Sequence, residues 1–346
     1  MCVAGDEHVN RRKDRLIAHI EVWRLDLFSY AGFVSVAGAL LASHHPAPLR
    51  LIGAWAAPTL GWFAAMYGGD YFDRELDAAA KPQRPVPSGR VSPRTAFGGL
   101  VSNVALGMII AGLLNPFSVG VVVITLALGV AYSKYLKARG VLGHLIRGGV
   151  TAMSFLFGTM ATGTTPPLTL VPICLVFWAH DSGSNVVGAI SDREGDRDGG
   201  YLTFPVRHGD AAALRLMIAF DGLWLTLAVT CPIFVDGPFN TIPYSLFLGA
   251  AVVLGIASAT MLFRAPRPIP RLRALQAHEV LVVERLILTA AFVAAASSAW
   301  VALALLVPSV AITMFASMLF MRGSYEPSRA RNSPRGEPGR RPWGAG

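Results

Sequence analysis

The sequence predicts an all-α protein that crosses a membrane many times, and three observations carry that reading. First, 53% of its 346 residues are hydrophobic and only 15% are charged, with a mean hydropathy of +0.50, a composition foreign to soluble domains. Second, the apolar residues gather in runs near the ~20 residues that cross ~30 Å of hydrocarbon. Third, basic residues sort by loop. Up to Arg273, alternate segments hold 22 Lys or Arg, and the loops between them (44–50, 115–116, 163–167 and 234–241) hold one, Arg50. Because basic loops stay on the cytoplasmic side, the N-terminus is expected there. The same bias accounts for the net charge of +9, so no nucleic-acid partner is expected. Cys2, Cys174 and Cys231 show neither metal spacing nor a disulfide pattern. The basic N-terminus is not followed by the apolar stretch and cleavage site of a signal peptide.

Taken in order, membrane helices are predicted at about 26–43, 51–69, 96–114, 117–134, 145–162, 168–190, 211–233 and 242–263. The run Val280–Met321 is 42 residues long, about 63 Å as one helix and twice the hydrocarbon thickness. It is expected to divide into helices at about 280–298 and 300–321. Ten crossings return the six arginines of the C-terminal tail to the cytoplasm, whereas nine would leave 301–321 in the outer interface. Residues 1–20 then form a cytoplasmic segment and 21–321 a single membrane domain. Residues 322–346, rich in Pro, Gly, Ser and Arg, form a disordered basic tail.

Acidic residues break this apolar pattern twice. Asp70, Asp73 and Asp77 follow the run Leu51–Tyr67, and on a continuous helix Asp73 and Asp77 fall within ~60° of Asp70, with Glu75 turned away. Asp192 and Asp196 follow the run Leu168–Ile190. Asp73–Asp77 and Asp192–Asp196 share the pattern D-R-E-x-D, 119 residues apart, and each is followed by a Pro-Val pair in a polar loop. A solvated helix end explains one such triplet, but the repetition in the same context points to an internal duplication with two facing acid clusters. Carboxylates crowded on one face need a cation between them. Mg²⁺ suits them, because it takes hard oxygens and keeps coordination sites for phosphate.

Basic loops flank both motifs. Lys81, Arg84 and Arg90 follow the first, Lys134, Lys137 and Arg139 with Arg147 follow the fourth helix, and Arg207 follows the second motif. Cations beside metal-binding acids suit a diphosphate, although each alone could simply set topology. The sixth helix is polar at membrane depth. Asp181, Asn185, Gly188 and Asp192 stay within ~60° of one face, which leads from the second motif into the membrane, where ionisable groups usually line a cavity. Interhelical hydrogen bonding is the plainer reading for His180 and Ser184. Arg24 and Asp26 open the first helix as either an interfacial ion pair or part of a site.

These residues resemble the UbiA superfamily of intramembrane prenyltransferases. Its N-D-x-x-D-x-x-x-D signature is matched by Gly69-Asp70-Tyr71-Phe72-Asp73-Arg74-Glu75-Leu76-Asp77, with Gly69 where the family has Asn. Its K-P-x-R-P-x-P-S-G loop is matched by Lys81 to Gly89, and its Y-S-x-x-L-K element by Tyr132 to Lys137. The second D-x-x-x-D and T-x-P-V pair is matched by Asp192 to Asp196 and Thr203 to Val206. The resemblance covers roughly 20–300. It implies a nine-helix bundle around a central cavity, here with a tenth C-terminal helix, and both acid motifs under a cytoplasmic cap.

On this resemblance Mg²⁺, with Mn²⁺ as a substitute, is expected on Asp70, Asp73, Asp77, Asp192 and Asp196. Arg74, Lys81, Arg84, Lys137 and Arg207 are the expected diphosphate ligands, and Asp181, Asn185, Lys134 and Arg147 the expected catalytic groups. The activity implied is transfer of a prenyl group from a prenyl diphosphate to an acceptor, commonly an aromatic ring, within the bilayer. A terpene cyclase needing no acceptor, or transfer of another group to a prenyl phosphate, would use the same parts. A transporter would place its acids nearer the bilayer midplane than these.

Overall fold

The computed structural model describes residues 14–43, 45–163, 165–235 and 237–318. Among these residues every regular element is helical. A helix over 14–23 (α1) lies before α2 (Ser29–Ala42), α3 (Pro48–Phe72), α4 (Arg74–Ala80), α5 (Pro93–Leu114) and α6 (Ser118–Ala131). A π turn, Tyr132–Leu136, extends α6. Then come α7 (Val141–Ala161), α8 (Val171–Asp198), α9 (Phe204–Phe234), α10 (Thr241–Phe263), α11 (Arg271–Ala296) and α12 (Ala299–Ala316).

Five of these, α5, α7, α9, α10 and α12, are long and apolar enough to cross a membrane. The helices α3, α8 and α11 have 25, 28 and 26 residues, but Gly, Pro and ionisable residues dilute their apolar character. Those polar groups explain their place, since α2, α3, α7, α8 and α11 pack together at the centre. Phe155, Phe177, Phe292, Ile173 and Leu288 fill the core between them. By contrast Leu113 of α5, Leu246 of α10 and Trp300 of α12 stand exposed on the outside, as lipid-facing residues do.

Small residues let the central helices approach closely. A Cβ on Gly158 would overlap the Ser35 backbone at the α2–α7 crossing, and one on Gly148 would overlap Ser182 and the Trp178 carbonyl where α7 meets α8.

The expected spans recur with shifted ends. The run from Val280 does divide in two, at Ser297–Ser298, where Ser298 Oγ accepts from Val301 N and caps α12. Asn240 donates to the Ser297 carbonyl and steadies the break. The helix before it starts earlier than expected, at Arg271. The sixth membrane helix runs on through the second acid motif to Asp198. The segment expected at 1–20 is not separate from the bundle, because Ala18 and Val22 of α1 are buried against Tyr67, Val86 and Val91. The expected disordered tail, 322–346, lies outside the described residues.

Candidate active site

The first acid motif is not one continuous helix. The α3 ladder ends at Phe72, Asp73 adopts φ −89° and ψ 4°, and α4 begins at Arg74. The three aspartates remain within electrostatic range of one another and of Arg24 and Arg84, but the bend gives them different exposure. Asp70 and Asp77 turn inward and are buried, whereas Asp73 is exposed at the break. Arg84 from the following loop sits between the buried pair, 2.5 Å from Asp77 Oδ2 and 4.0 Å from Asp70 Oδ1. Arg24, before α2, reaches Asp70 Oδ1 at 3.7 Å. Two buried like charges need a positive charge between them, and here arginine supplies it.

The second motif is continuous. Asp192 and Asp196 stand one turn apart on α8, Asp192 exposed and Asp196 buried. Lys137 Nζ lies 3.2 Å from Asp196 Oδ1 and 5.1 Å from the centre of the Tyr201 ring. Burial is the largest single influence and works against the Lys137 charge, but Asp196, Tyr132 and Asp192 together outweigh it, so the amine is held above the usual lysine range. Lys137 is also within electrostatic range of Asp73. Lys81 is pushed below the usual lysine range by burial and then by Arg84, with Asp192 and Asp77 pulling the other way. Each lysine thus lies within electrostatic range of carboxylates of both motifs. Asp196 Oδ2 is buried without a partner among the described residues.

Two expected diphosphate ligands make no ion pair with the motif aspartates among the described residues. Arg74 donates to the Tyr71 carbonyl, lies 5.0 Å from the centre of that ring and pairs with exposed Glu75 at 3.2 Å. Arg207 is exposed on the first turn of α9. Lys134 lies in the π turn, with its side chain outside the described residues. Among the described residues no three His, Cys, Asp or Glu side chains converge to hold a metal unaided. Asp70 and Asp77 are taken by arginine, while Asp73, Asp192 and Asp196 Oδ2 are not.

A second polar layer lies below. Asn185 Nδ2 meets His144 Nδ1 at 2.8 Å. Both oxygens of Asp181 are taken: Oδ2 by Arg147 at 3.1 Å and Thr151 Oγ1 at 2.7 Å, and Oδ1 by Arg285 at 3.7 Å. This carboxylate is placed to hold two arginines rather than to accept a proton. His180 and Glu284, their chain neighbours, meet at 2.5 Å. The dipeptides His180-Asp181 of α8 and Glu284-Arg285 of α11 therefore pair rung by rung. Arg193, inside the second motif, is buried against Asp210 of α9, whose other oxygen accepts from Ile269 N at 2.6 Å.

Sequence reasoning missed His144, Arg285, Glu284 and Tyr30. Glu284 and Arg285 had a usable signal, being ionisable residues in an apolar run, the same sign that singled out Asp181. His144 lies three residues before Arg147 on one helix face.

Residues 31–275 match the sequence profile of the UbiA prenyltransferase family. A digeranylgeranylglyceryl phosphate synthase from Methanopyrus kandleri is 32% identical over 246 residues, covering 70% of this chain and 87% of that protein. The apo structure of a UbiA homologue from Aeropyrum pernix K1 superposes with a TM-score of 0.65 at 20% identity, covering 77% of this chain and 96% of that one. A UbiA homologue from Archaeoglobus fulgidus, bound to GPP and Mg²⁺, superposes with a TM-score of 0.56 at 14% identity, covering 88% and 98%.

Proposed function

The chain belongs to the UbiA prenyltransferase family, and on that premise we propose that it moves a prenyl group from a prenyl diphosphate, with Mg²⁺, to a hydroxyl of a glyceryl phosphate lipid. The observation that carries the reading is that Lys137 pairs with Asp196 at 3.2 Å, with Lys81 and Lys137 both in electrostatic range of the two acid motifs. An aromatic acceptor was expected from the sequence. The name of the Methanopyrus relative, at 32% identity, supports a glyceryl phosphate lipid instead. The distribution of basic loops supports a cytoplasmic side for both motifs and the N-terminus.

The chemistry of the open carboxylates suits a magnesium ion that arrives with the diphosphate, whose oxygens would complete a donor set the side chains do not converge to form alone. Asp73, Asp192 and the unpartnered Asp196 Oδ2 are hard oxygen donors left open by the arginines, and they would hold the ion. Bound there, Mg²⁺ supplies charge neutralisation to the diphosphate. Lys81 and Lys137 take its remaining oxygens, and Arg84 adds a guanidinium fork from the buried side. These charges favour the leaving diphosphate as the allylic C–O bond lengthens. The acceptor oxygen bonds to the allylic carbon as the diphosphate oxygen leaves with the bond's electron pair. The hydroxyl proton passes to the diphosphate.

The test incubates purified protein with a prenyl diphosphate and Mg²⁺, with and without a prenylglyceryl phosphate. A new ether that requires the acceptor is expected. A hydrocarbon formed without acceptor would identify a cyclase instead.

A further inference from the structure

Beneath the acid motifs the bundle holds cationic groups whose hydrogen-bonding capacity is unused. Arg285 of α11 is 4% exposed and presents Nη1 to Asp181 Oδ1 at 3.7 Å. Its Nε and Nη2 have no partner among the described residues. These two N–H groups share one edge of the guanidinium, the fork that takes a carboxylate or phosphate with two parallel hydrogen bonds. The guanidinium lies 4.6 Å from the centre of the Tyr30 ring, and the Tyr30 hydroxyl, on a residue 5% exposed, is likewise unpartnered. Asp26 is within electrostatic range of Arg285 but makes no ion pair with it among the described residues. Arg147 shares Asp181 and keeps 26% of its side chain accessible, so the cluster borders open space.

A buried guanidinium edge left open in a membrane bundle marks a place for an oxyanion. Asp181 keeps Arg147 and Arg285 from repelling each other and fixes the direction of both forks. It stands eleven residues before Asp192, about 16 Å along α8. That separation gives a second anion its own station, clear of the diphosphate. A small acceptor anchored here can still turn its hydroxyl up toward the allylic carbon.

We propose that Arg285, with Tyr30 and Arg147, forms an oxyanion site that holds the acceptor by a phosphate or carboxylate. The site rests on the reading of this chain as a transferase to an anionic acceptor, and it assigns that anion a place separate from the acid motifs. Selectivity among acceptors then follows from the anion first and from the rest of the molecule second.

The experiment compares two acceptor pairs, a prenylglyceryl phosphate with its dephosphorylated alcohol and a hydroxybenzoate with its methyl ester. Initial rates are measured for the wild type, Arg285→Lys and Tyr30→Phe. The wild type should prefer the anionic member of whichever pair it uses. Arg285→Lys should raise KM for that anionic acceptor about 10-fold or more, since a point charge replaces a two-bond fork, while KM for the prenyl diphosphate stays within about 2-fold. Both variants should narrow the gap between anionic and neutral acceptors. Tyr30→Phe, which keeps the ring, carries the test if Arg285→Lys fails to fold.

Transfer that proceeds with unchanged anion preference in the variants overturns the oxyanion site and leaves the proposed activity standing. So does a parallel rise in KM for the prenyl diphosphate, or equal use of neutral and anionic acceptors by the wild type. Hydrocarbon formation with no transfer to either pair overturns both.

Discussion

The two acid motifs meet the same problem, crowded carboxylates at a helix end, in different ways. At the first, Arg84 and Arg24 close on Asp70 and Asp77, and the helix breaks so that Asp73 alone stays open. At the second, the helix runs through, one lysine touches Asp196, and Asp196 Oδ2 makes no ion pair among the described residues, with the Thr203 hydroxyl nearby. The arginines of the two D-R-E-x-D copies part as well. Arg74 lies outward on Tyr71 and Glu75, whereas Arg193 is buried against Asp210. The site is therefore lopsided. One side holds a guanidinium by ion pairs, and the other leaves carboxylate oxygens that a cation could take.

This asymmetry can be broken at its open carboxylates. Asp73→Ala and Asp192→Ala should each lower kcat by ~10³-fold or more in protein that still melts cooperatively, because each removes a proposed metal donor. Near-normal turnover in either variant would show that its motif is not part of the reacting site. Chelation should have the same effect on the wild type. At ~4 Å two like charges repel by ~4 kcal/mol at an effective dielectric of 20, so a diphosphate should not settle against these acids without a cation. Activity that persists in excess chelator, with metal-free substrate, would exclude that requirement.

Smaller effects sharpen the contrast. Asp77→Asn should raise KM for prenyl diphosphate ~10-fold and spare kcat, since it loosens Arg84 without touching the open donors. An equal fall in kcat would mean that Asp77 joins the metal set after all. Arg193→Ala should cost ~3 kcal/mol of stability by leaving Asp210 buried and unpaired, and Arg74→Ala less than ~0.5, both read by thermal denaturation in detergent. The smallest change is expected at exposed Glu75 and Glu194. Their Gln variants should keep kcat/KM within ~2-fold in the same assay.

Much of this architecture was legible in residue order. Runs of the right length gave the helices, and the surplus of apolar residues in Val280–Met321 gave the break before α12, because length and hydropathy act locally. The facing of the motifs was legible from their repetition. The break at Asp73 was not, since a helical wheel assumes an unbroken helix. Nor was the capture of Asp70 by Arg24, which depends on how α1 and the loop after α4 close over α3. The pairing of α8 with α11 was half visible: each helix announced its ionisable residues, but not which neighbour would meet them.

That pairing also bears on how the protein is made. Charged residues near the middle of a helix make its insertion less favourable by ~2.5–3.5 kcal/mol each. When α8 leaves the ribosome, α7 already offers Arg147 and Thr151 to Asp181, so that carboxylate can enter the bilayer accompanied. His180 is less fortunate, because Glu284, its partner, is 104 residues downstream. The chain must therefore complete α9, α10 and half of α11 before the central rungs close. Until then α8 sits in the membrane on credit from its apolar first half, and the insertion machinery, rather than the finished bundle, has to keep it there.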